Sequence, residues 1–158
     1  MIIDHTEIEE PKIHEFVSFW NSKRGRAFAP TWQQFDLMTL NPALIPYIIV
    51  ADAVYEPNGK IGDFVIRFWG TGQTNWKGAD KTGKRTRDYP QYRGEEGWDE
   101  YLHVVERRAP IYSIDTVHRS KHGDITDVEQ LQVRVPISDD GENVTKVATF
   151  GHWTVSGR

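Results

Sequence analysis

The sequence predicts an α+β fold in which one five-stranded antiparallel sheet carries its helices on one face. Two stretches, at about residues 11–23 and 95–108, place apolar residues three and four positions apart, as amphipathic helices do. Between them, two alternating stretches flank Glu56–Gly59 (EPNG), a strong signal for a hairpin turn. In the last third of the chain, short polar turns separate alternating stretches, so these strands should be antiparallel neighbours. A sheet with an apolar side needs a covering layer, and the helices are expected to supply it.

The N-terminal helix, at about residues 11–23, has one apolar face. Four residues on this face follow the spacing i, i+3, i+4 and i+7: Ile13, Phe16, Val17 and Trp20. Pro11 suits the first helical turn, where its missing N–H costs nothing, and Gly25 can supply the left-handed residue that ends a helix. The bulky side of the helix, formed by Phe16, Phe19 and Trp20, is wide enough to contact a second copy as well as the sheet. We therefore predict a homodimer through these three residues.

Five strands are predicted, all within a core at about residues 45–155. Their expected bounds are Tyr47–Tyr55, Asp63–Trp69, Ile111–Arg119, Ile125–Ile137 and Val144–Val155. Along the second strand, Phe64, Ile66 and Phe68 are expected to share one face. Short helical turns are expected between residues 71 and 93, before the second long helix. A chain of 158 residues indicates a single domain, covering residues 1–158.

Composition narrows the class of protein. The chain has 19 Lys and Arg against 23 Asp and Glu, so its bulk charge does not favour nucleic acid as a partner. It has no cysteine, which excludes thiolate metal sites and a cysteine nucleophile. No apolar run approaches the roughly 20 residues that cross a bilayer, and the acidic N-terminus lacks the layout of a signal peptide. We therefore expect a cytoplasmic protein with neither a membrane nor nucleic acid as its partner.

Three local patterns have residue types that can carry chemistry, but none is predicted to be a site. Residues 78–84 spell the start of a phosphate-binding loop, but Arg85 stands where that loop needs Ser or Thr. His118 and His122 flank a hairpin turn, where residues four apart do not share a face, so no metal site is expected. Acidic residues at 95–100 complement the dipole at the start of the second helix. No catalytic residue is predicted.

Several short motifs follow one another in a fixed order. A helix ends in a Trp–Gly segment, the second strand ends in Arg67–Thr71 (RFWGT), and a Gly-x-Asp-x-Thr-Gly signature covers residues 78–83. The turn Val135–Gly141 separates the last two strands. Over about residues 16–153 these motifs resemble those of the PAS-like family of small bacterial sensory and regulatory proteins. One departure is Thr31–Gln34 (TWQQ), where that family usually has an arginine.

This resemblance implies a PAS-like fold and a regulatory or ligand-sensing role, with no established chemistry. In such a fold, segments from three strands and the second helix converge between the sheet and the helices. A cavity there, with apolar walls and a few polar groups, suits a small ligand. The expected lining residues are Phe68, Thr71, Asn75, Trp76, Tyr101, Val105, Tyr112, Thr116, Phe150 and His152. The alternative is that these aromatic residues simply fill the core.

No cofactor or ligand is identified by the sequence. A PAS-type flavin photocycle needs a cysteine, which is absent, and His103 lies off the apolar stripe of its helix, which does not favour haem. The expected function is that of a non-catalytic sensory domain that binds an unidentified small molecule or a protein partner and signals in trans. Two alternatives stay open. One is a small α+β cone enzyme of the isomerase or hydrolase type, and the other is an interaction adaptor without a pocket.

Overall fold

One antiparallel sheet of six strands organises the part of the chain that the structure, a computed structural model, describes. This part comprises residues 1–72, 80–86, 96–121 and 124–155, with the backbone alone at residues 96, 117–121 and 124–126. The strands are β1 (Ile2–Ile3), β2 (Ile48–Tyr55), β3 (Ile61–Trp69), β4 (Ile111–Lys121), β5 (Asp124–Ile137) and β6 (Lys146–Val155). Within the described residues, the α-helices are α1 (Pro11–Arg24) and α2 (Glu96–Arg107). The predicted α+β class is confirmed.

The strands follow the order β1-β4-β5-β6-β2-β3, and every neighbouring pair is antiparallel. Pairing of β2 with β6 joins the early hairpin to the C-terminal three-strand meander. The sheet has one more strand than predicted because Ile2 and Ile3 pair with Tyr112 and Ser113 at the edge of β4. A strand of two residues is too short to show an alternating pattern in the sequence.

Local sequence explains where α1 and the first hairpin begin and end. The Glu10 side chain accepts a hydrogen bond from the Lys12 amide at 3.2 Å and so caps the first turn of α1. Gly25 ends the helix with a φ of 57°. In the hairpin, Gly59 has a φ of 83°, and the Glu56 amide donates to the Lys60 carbonyl at 2.7 Å. The helix was predicted from its apolar spacing with Pro11 and Gly25 at its ends, and the hairpin from Glu56–Gly59. Both elements are confirmed, whereas the Glu10 cap was not predicted.

The two helices cover opposite faces of the sheet. On one face, a hydrophobic cluster packs α1 against Ile48, Val50 and neighbouring strand residues. On the other face, a second hydrophobic cluster packs α2 against Ile49, Ala51 and their neighbours. The expectation that the helices share one face is therefore wrong. Because four consecutive residues of β2 are buried, both faces of this strand are apolar and both need a cover.

A β-bulge reverses the facing of the end of β3. Val50 pairs with Phe68 and Ala51 pairs with Ile66, which leaves Arg67 as the extra residue. Phe68 consequently packs on the α1 side, whereas Trp69 joins Ile66 on the α2 side. The predicted common face for Phe64, Ile66 and Phe68 is therefore wrong at Phe68. Strict alternation cannot reveal a bulge.

Gly70 lies where two stretches of backbone nearly touch. A Cβ at this position would come within 2.1 Å of the Pro46 carbonyl oxygen, and the Gly70 amide donates to the Ile48 carbonyl at 2.8 Å. Gly72 is similarly constrained, since its Cβ would lie 2.6 Å from the Tyr47 ring. The Gly-Thr-Gly sequence after β3 thus lets the chain cross closely over the segment that leads into β2.

Gly70→Ala is expected to lower the free energy of unfolding by about 1–3 kcal/mol, because the methyl group has only rigid backbone to displace. Gly97→Ala is the matched control, since a Cβ there meets nothing within 4 Å. In a helix that substitution is neutral or stabilises by up to about 1 kcal/mol. Urea unfolding of both variants measures the difference. Equal stabilities would contradict the close crossing at Gly70.

Asp140 organises the turn between β5 and β6. Its Oδ1 atom accepts hydrogen bonds from the amides of Asn143 at 2.7 Å and Glu142 at 2.8 Å, and from the Ser138 hydroxyl at 3.2 Å. These donors, led by the Asn143 and Glu142 amides, lower the pKa of Asp140 from 3.8 to about 2. The charged carboxylate therefore helps to hold the turn.

Because the pKa of Asp140 is lower in the folded chain, its stabilising effect is complete above the ordinary value of 3.8 and is lost as the pH falls toward 2. Asp140→Asn should therefore make the unfolding free energy less dependent on pH in this window. Glu142→Gln removes the same charge from the same turn and serves as the control. Urea titrations at several pH values test this, and identical pH profiles for the two variants would refute it.

Candidate functional site

A group of buried polar side chains lies on the α2-facing side of the sheet. We call it the buried polar patch. Its members come from α2, β4, β5 and β6, and each is no more than 6% exposed: Glu100, Ser113, Gln130, Gln132, Arg134 and Thr149. Polar residues are rarely buried in such a group without hydrogen-bond partners, so their contacts need an account.

Strand register brings these side chains together. Along β5, Gln130, Gln132 and Arg134 alternate with apolar residues that pack on the α1 side. Gln132 pairs with Ser113 on one side, and Arg134 pairs with Thr149 on the other. Directly paired residues point to the same face of a sheet, so the β4 and β6 residues join the polar row of β5. Helix α2 then covers this row.

Arg134 is the centre of the buried polar patch. Its Nη1 atom donates to the Thr149 hydroxyl at 2.8 Å, and its Nη2 atom donates to Gln132 Oε1 at 2.8 Å and Glu100 Oε2 at 3.2 Å. Its guanidinium carbon also lies 4.6 Å from the centre of the Tyr101 ring. The contact with Glu100 is a buried ion pair, which balances the charge of both groups and ties α2 to β5.

Four polar atoms of the patch have no hydrogen-bond partner among the described residues. They are Glu100 Oε1, Ser113 Oγ, Gln130 Nε2 and Arg134 Nε. A buried polar group without any partner costs about 1–3 kcal/mol, so these atoms need a water molecule or a ligand as their partner. The patch therefore has two unused donors, one unused acceptor and a hydroxyl that can serve as either.

The residues predicted to line one cavity lie on two sides of the sheet. Tyr101 belongs to the α2 side, where its ring stacks on Phe64 with 4.9 Å between centroids. Val105 packs on the same side. Three predicted residues pack instead in the α1-side cluster: Phe68, Tyr112 and Phe150. The expectation that all of these residues converge is wrong, because the sheet itself separates them.

The remaining predicted lining residues also fail to form one group. His152 lies on the α1 side, where its Nε2 atom is 3.2 Å from Glu10 Oε2. Thr71 and Thr116 are exposed. Asn75 and Trp76 fall outside the described residues, as do most of the short helical turns expected between residues 71 and 93. Whether any of these residues binds a ligand stays a prediction.

A small cleft lies on the α1 side, at the end of β6. Its volume is about 120 Å³, and its walls are formed by Lys12, Tyr47, Phe150, Gly151, His152 and Trp153. Pockets for small-molecule ligands usually measure about 300–1,000 Å³. The cleft is therefore too small to replace the predicted cavity.

The side of α1 predicted to contact a second copy is used within the chain. Phe16 is fully buried and stacks on Phe150 with 5.5 Å between ring centroids. The Trp20 indole donates to the Pro136 carbonyl at 2.7 Å, and Phe19 packs edge-on against Phe35. Phe16 and Trp20 therefore have no surface free for a partner, which contradicts their predicted role. The homodimer itself stays a prediction.

Sequence reasoning missed the buried polar patch. It explained Glu100 by the helix dipole alone, whereas Glu100 is 2% exposed and pairs with Arg134, 34 positions later in the chain. One usable signal was present. Gln130, Gln132 and Arg134 form an alternating polar row on a strand whose other row is apolar, and the continuous apolar run Ile48–Ala51 in β2 indicates that both faces of the sheet are covered.

Comparison with protein-family models gives no match for this chain, and comparison with curated proteins gives none either. Neither helix of the described residues has the length and apolar character needed to cross a membrane. The function must therefore be argued from the geometry of the chain itself.

Glu100→Gln is expected to lower the unfolding free energy by about 3–5 kcal/mol, because it leaves the Arg134 charge buried and unpaired. Glu106→Gln, at an exposed position on the same helix, is the control and should change it by no more than about 0.5 kcal/mol.

Pairing Glu100→Gln with Arg134→Met should recover most of the lost stability, because the double variant buries no net charge. Urea unfolding measures all three variants. If Glu100→Gln were as stable as Glu106→Gln, the buried ion pair would be refuted.

Proposed function

We propose that this protein is a non-catalytic PAS-like sensory or regulatory domain that binds a small molecule at the buried polar patch and signals in trans. The observation that carries the proposal is the set of four buried polar atoms without partners among the described residues. A few buried polar groups with hydrogen-bonding capacity, beside an aromatic ring, are among the features of sites for small polar ligands.

The PAS-like part of the proposal is supported by the order of elements. After the two-residue strand β1 come a helix, a hairpin of two strands, a second helix and a meander of three strands. The motifs quoted for the resemblance also lie at matching places. Arg67–Thr71 spans the end of β3, and the turn around Asp140 separates β5 from β6.

A binding role is favoured over catalysis by how the charged groups are used. Arg134 already donates to Glu100, Gln132 and Thr149, so its position is fixed by three partners. Glu100 is held in turn by Arg134. A fixed and mutually neutralised pair is suited to orienting a ligand rather than to exchanging protons with it.

The same pair offers a route for a signal. Glu100 belongs to α2 and Arg134 to β5, so a molecule that contacts either group alters the link between helix and sheet. A shift of α2 would change the surface of the domain, which a partner protein could contact.

An adaptor role is the second candidate, and one observation favours it. Trp32 and Met38 are large apolar side chains that are 37% and 89% exposed, and both belong to the segment between α1 and β2. Aromatic residues and methionine are enriched at protein interfaces relative to the rest of the surface. This segment is also where the sequence departs from the family pattern.

Native mass spectrometry of the purified protein tests the binding function. The wild type is expected to carry a small molecule that denaturation releases, and Gln130→Leu should lose most of it because an unused donor is removed. Gln33→Leu, at an exposed position, is the control and should retain the molecule.

If the wild type carried no extra mass and a metabolite extract did not raise its melting temperature, the binding function would be refuted. The adaptor role would then be the better explanation.

A further inference from the structure

The buried polar patch is balanced in charge. Arg134 is paired with Glu100, and the other members, Ser113, Gln130, Gln132 and Thr149, are neutral. Asp115, which pairs with Gln130 across β4 and β5, has its carboxylate in an ion pair with the amino group of Met1. Among the residues that the structure describes, a charged molecule entering this site would therefore meet no unpaired group of opposite sign.

Burying a charge without a partner is far more costly than burying a neutral polar group that finds hydrogen bonds. An anion that accepted from Arg134 Nε would leave the patch with a net negative charge, and a cation that donated to Glu100 Oε1 would leave it with a net positive charge. In both cases one buried charge is uncompensated, which is strongly unfavourable. The balance of the pair thus selects against ligands of both signs.

The unused atoms define what the ligand must offer. Arg134 Nε and Gln130 Nε2 are donors, so they need an acceptor. Glu100 Oε1 is an acceptor when the carboxylate is ionised, so it needs a donor. The Ser113 hydroxyl can take either part. A molecule with only acceptors, or only donors, leaves part of the patch unsatisfied.

We infer that the patch selects a small uncharged molecule that carries at least one hydrogen-bond donor and one acceptor, such as a primary amide or a lactam. This inference rests on the proposed binding function. It goes further by excluding carboxylates, phosphates and ammonium compounds as ligands of this site.

Three probes of nearly equal shape separate the classes: benzamide is neutral, benzoate is an anion, and benzamidinium is a cation. Their dissociation constants can be measured by ligand-observed NMR with the full chain. The wild type is expected to bind benzamide at least about tenfold more tightly than either ion, because each ion brings an uncompensated charge.

Two variants should change the preference in opposite directions. Glu100→Gln leaves Arg134 unbalanced and is expected to make benzoate the best ligand. Arg134→Gln leaves Glu100 unbalanced and is expected to favour benzamidinium. The double variant, with both substitutions, restores neutrality and should prefer benzamide again. It also keeps the test decisive if either single variant fails to fold.

Gln130→Leu is expected to weaken benzamide binding about fivefold to tenfold by removing one hydrogen bond, without changing the preference among the probes. It should not lower the melting temperature of the free protein, because the deleted amide nitrogen has no partner among the described residues. Gln33→Leu should bind all three probes as the wild type does.

The possible outcomes distinguish failure of this inference from failure of the proposed binding function. If benzoate or benzamidinium bound the wild type best, the uncharged class would be refuted while the binding function stood. A co-purified ion that the wild type retained and Gln130→Leu lost would also refute the uncharged class while the binding function stood. If none of the probes bound at millimolar concentration, water alone would satisfy the patch and the inference would fail.

Discussion

The covering of both faces of the sheet is the constraint on which the other features depend. In β2, Ile48 and Val50 pack beneath α1, while Ile49 and Ala51 pack beneath α2. A strand of this kind cannot present a polar side to water, so the sheet needs a layer on each face. Polar residues of the neighbouring strands that lie beneath α2, such as Arg134 and Thr149, are then buried as well. The ion pair of Glu100 with Arg134 is a consequence of that double burial.

The layers on the two faces of the sheet differ in polarity. The α1 side is dominated by aromatic and aliphatic packing, with Phe16 stacked on Phe150 and the Trp20 indole bound to a backbone carbonyl. The α2 side combines the Tyr101 ring with the buried polar patch. The apolar layer stabilises the fold by burying apolar surface. The polar layer keeps four atoms without partners among the described residues, and for this reason we propose the ligand site beneath α2.

Several sequence motifs prove to have mechanical roles. Gly70 is required where the backbone crosses close to Pro46, and Asp140 gathers the amides of its turn. The bulge at Arg67 turns Phe68 toward one layer and Trp69 toward the other. Each of these features sets the geometry of the sheet. None of them contributes a group to the buried polar patch, so the residues that support the resemblance differ from those that carry the proposed chemistry.

The sequence by itself determined α1, α2, the hairpin at Gly59 and the meander of the last three strands, because each depends on spacing within a few residues. Only the tertiary structure decided that the helices lie on opposite faces, and that Phe150 and Tyr101 are separated by the sheet. It alone paired Glu100 with Arg134, which are 34 positions apart. The reason is physical: periodicity is a local property, whereas the facing of a strand and the partner of a buried charge depend on register between distant segments.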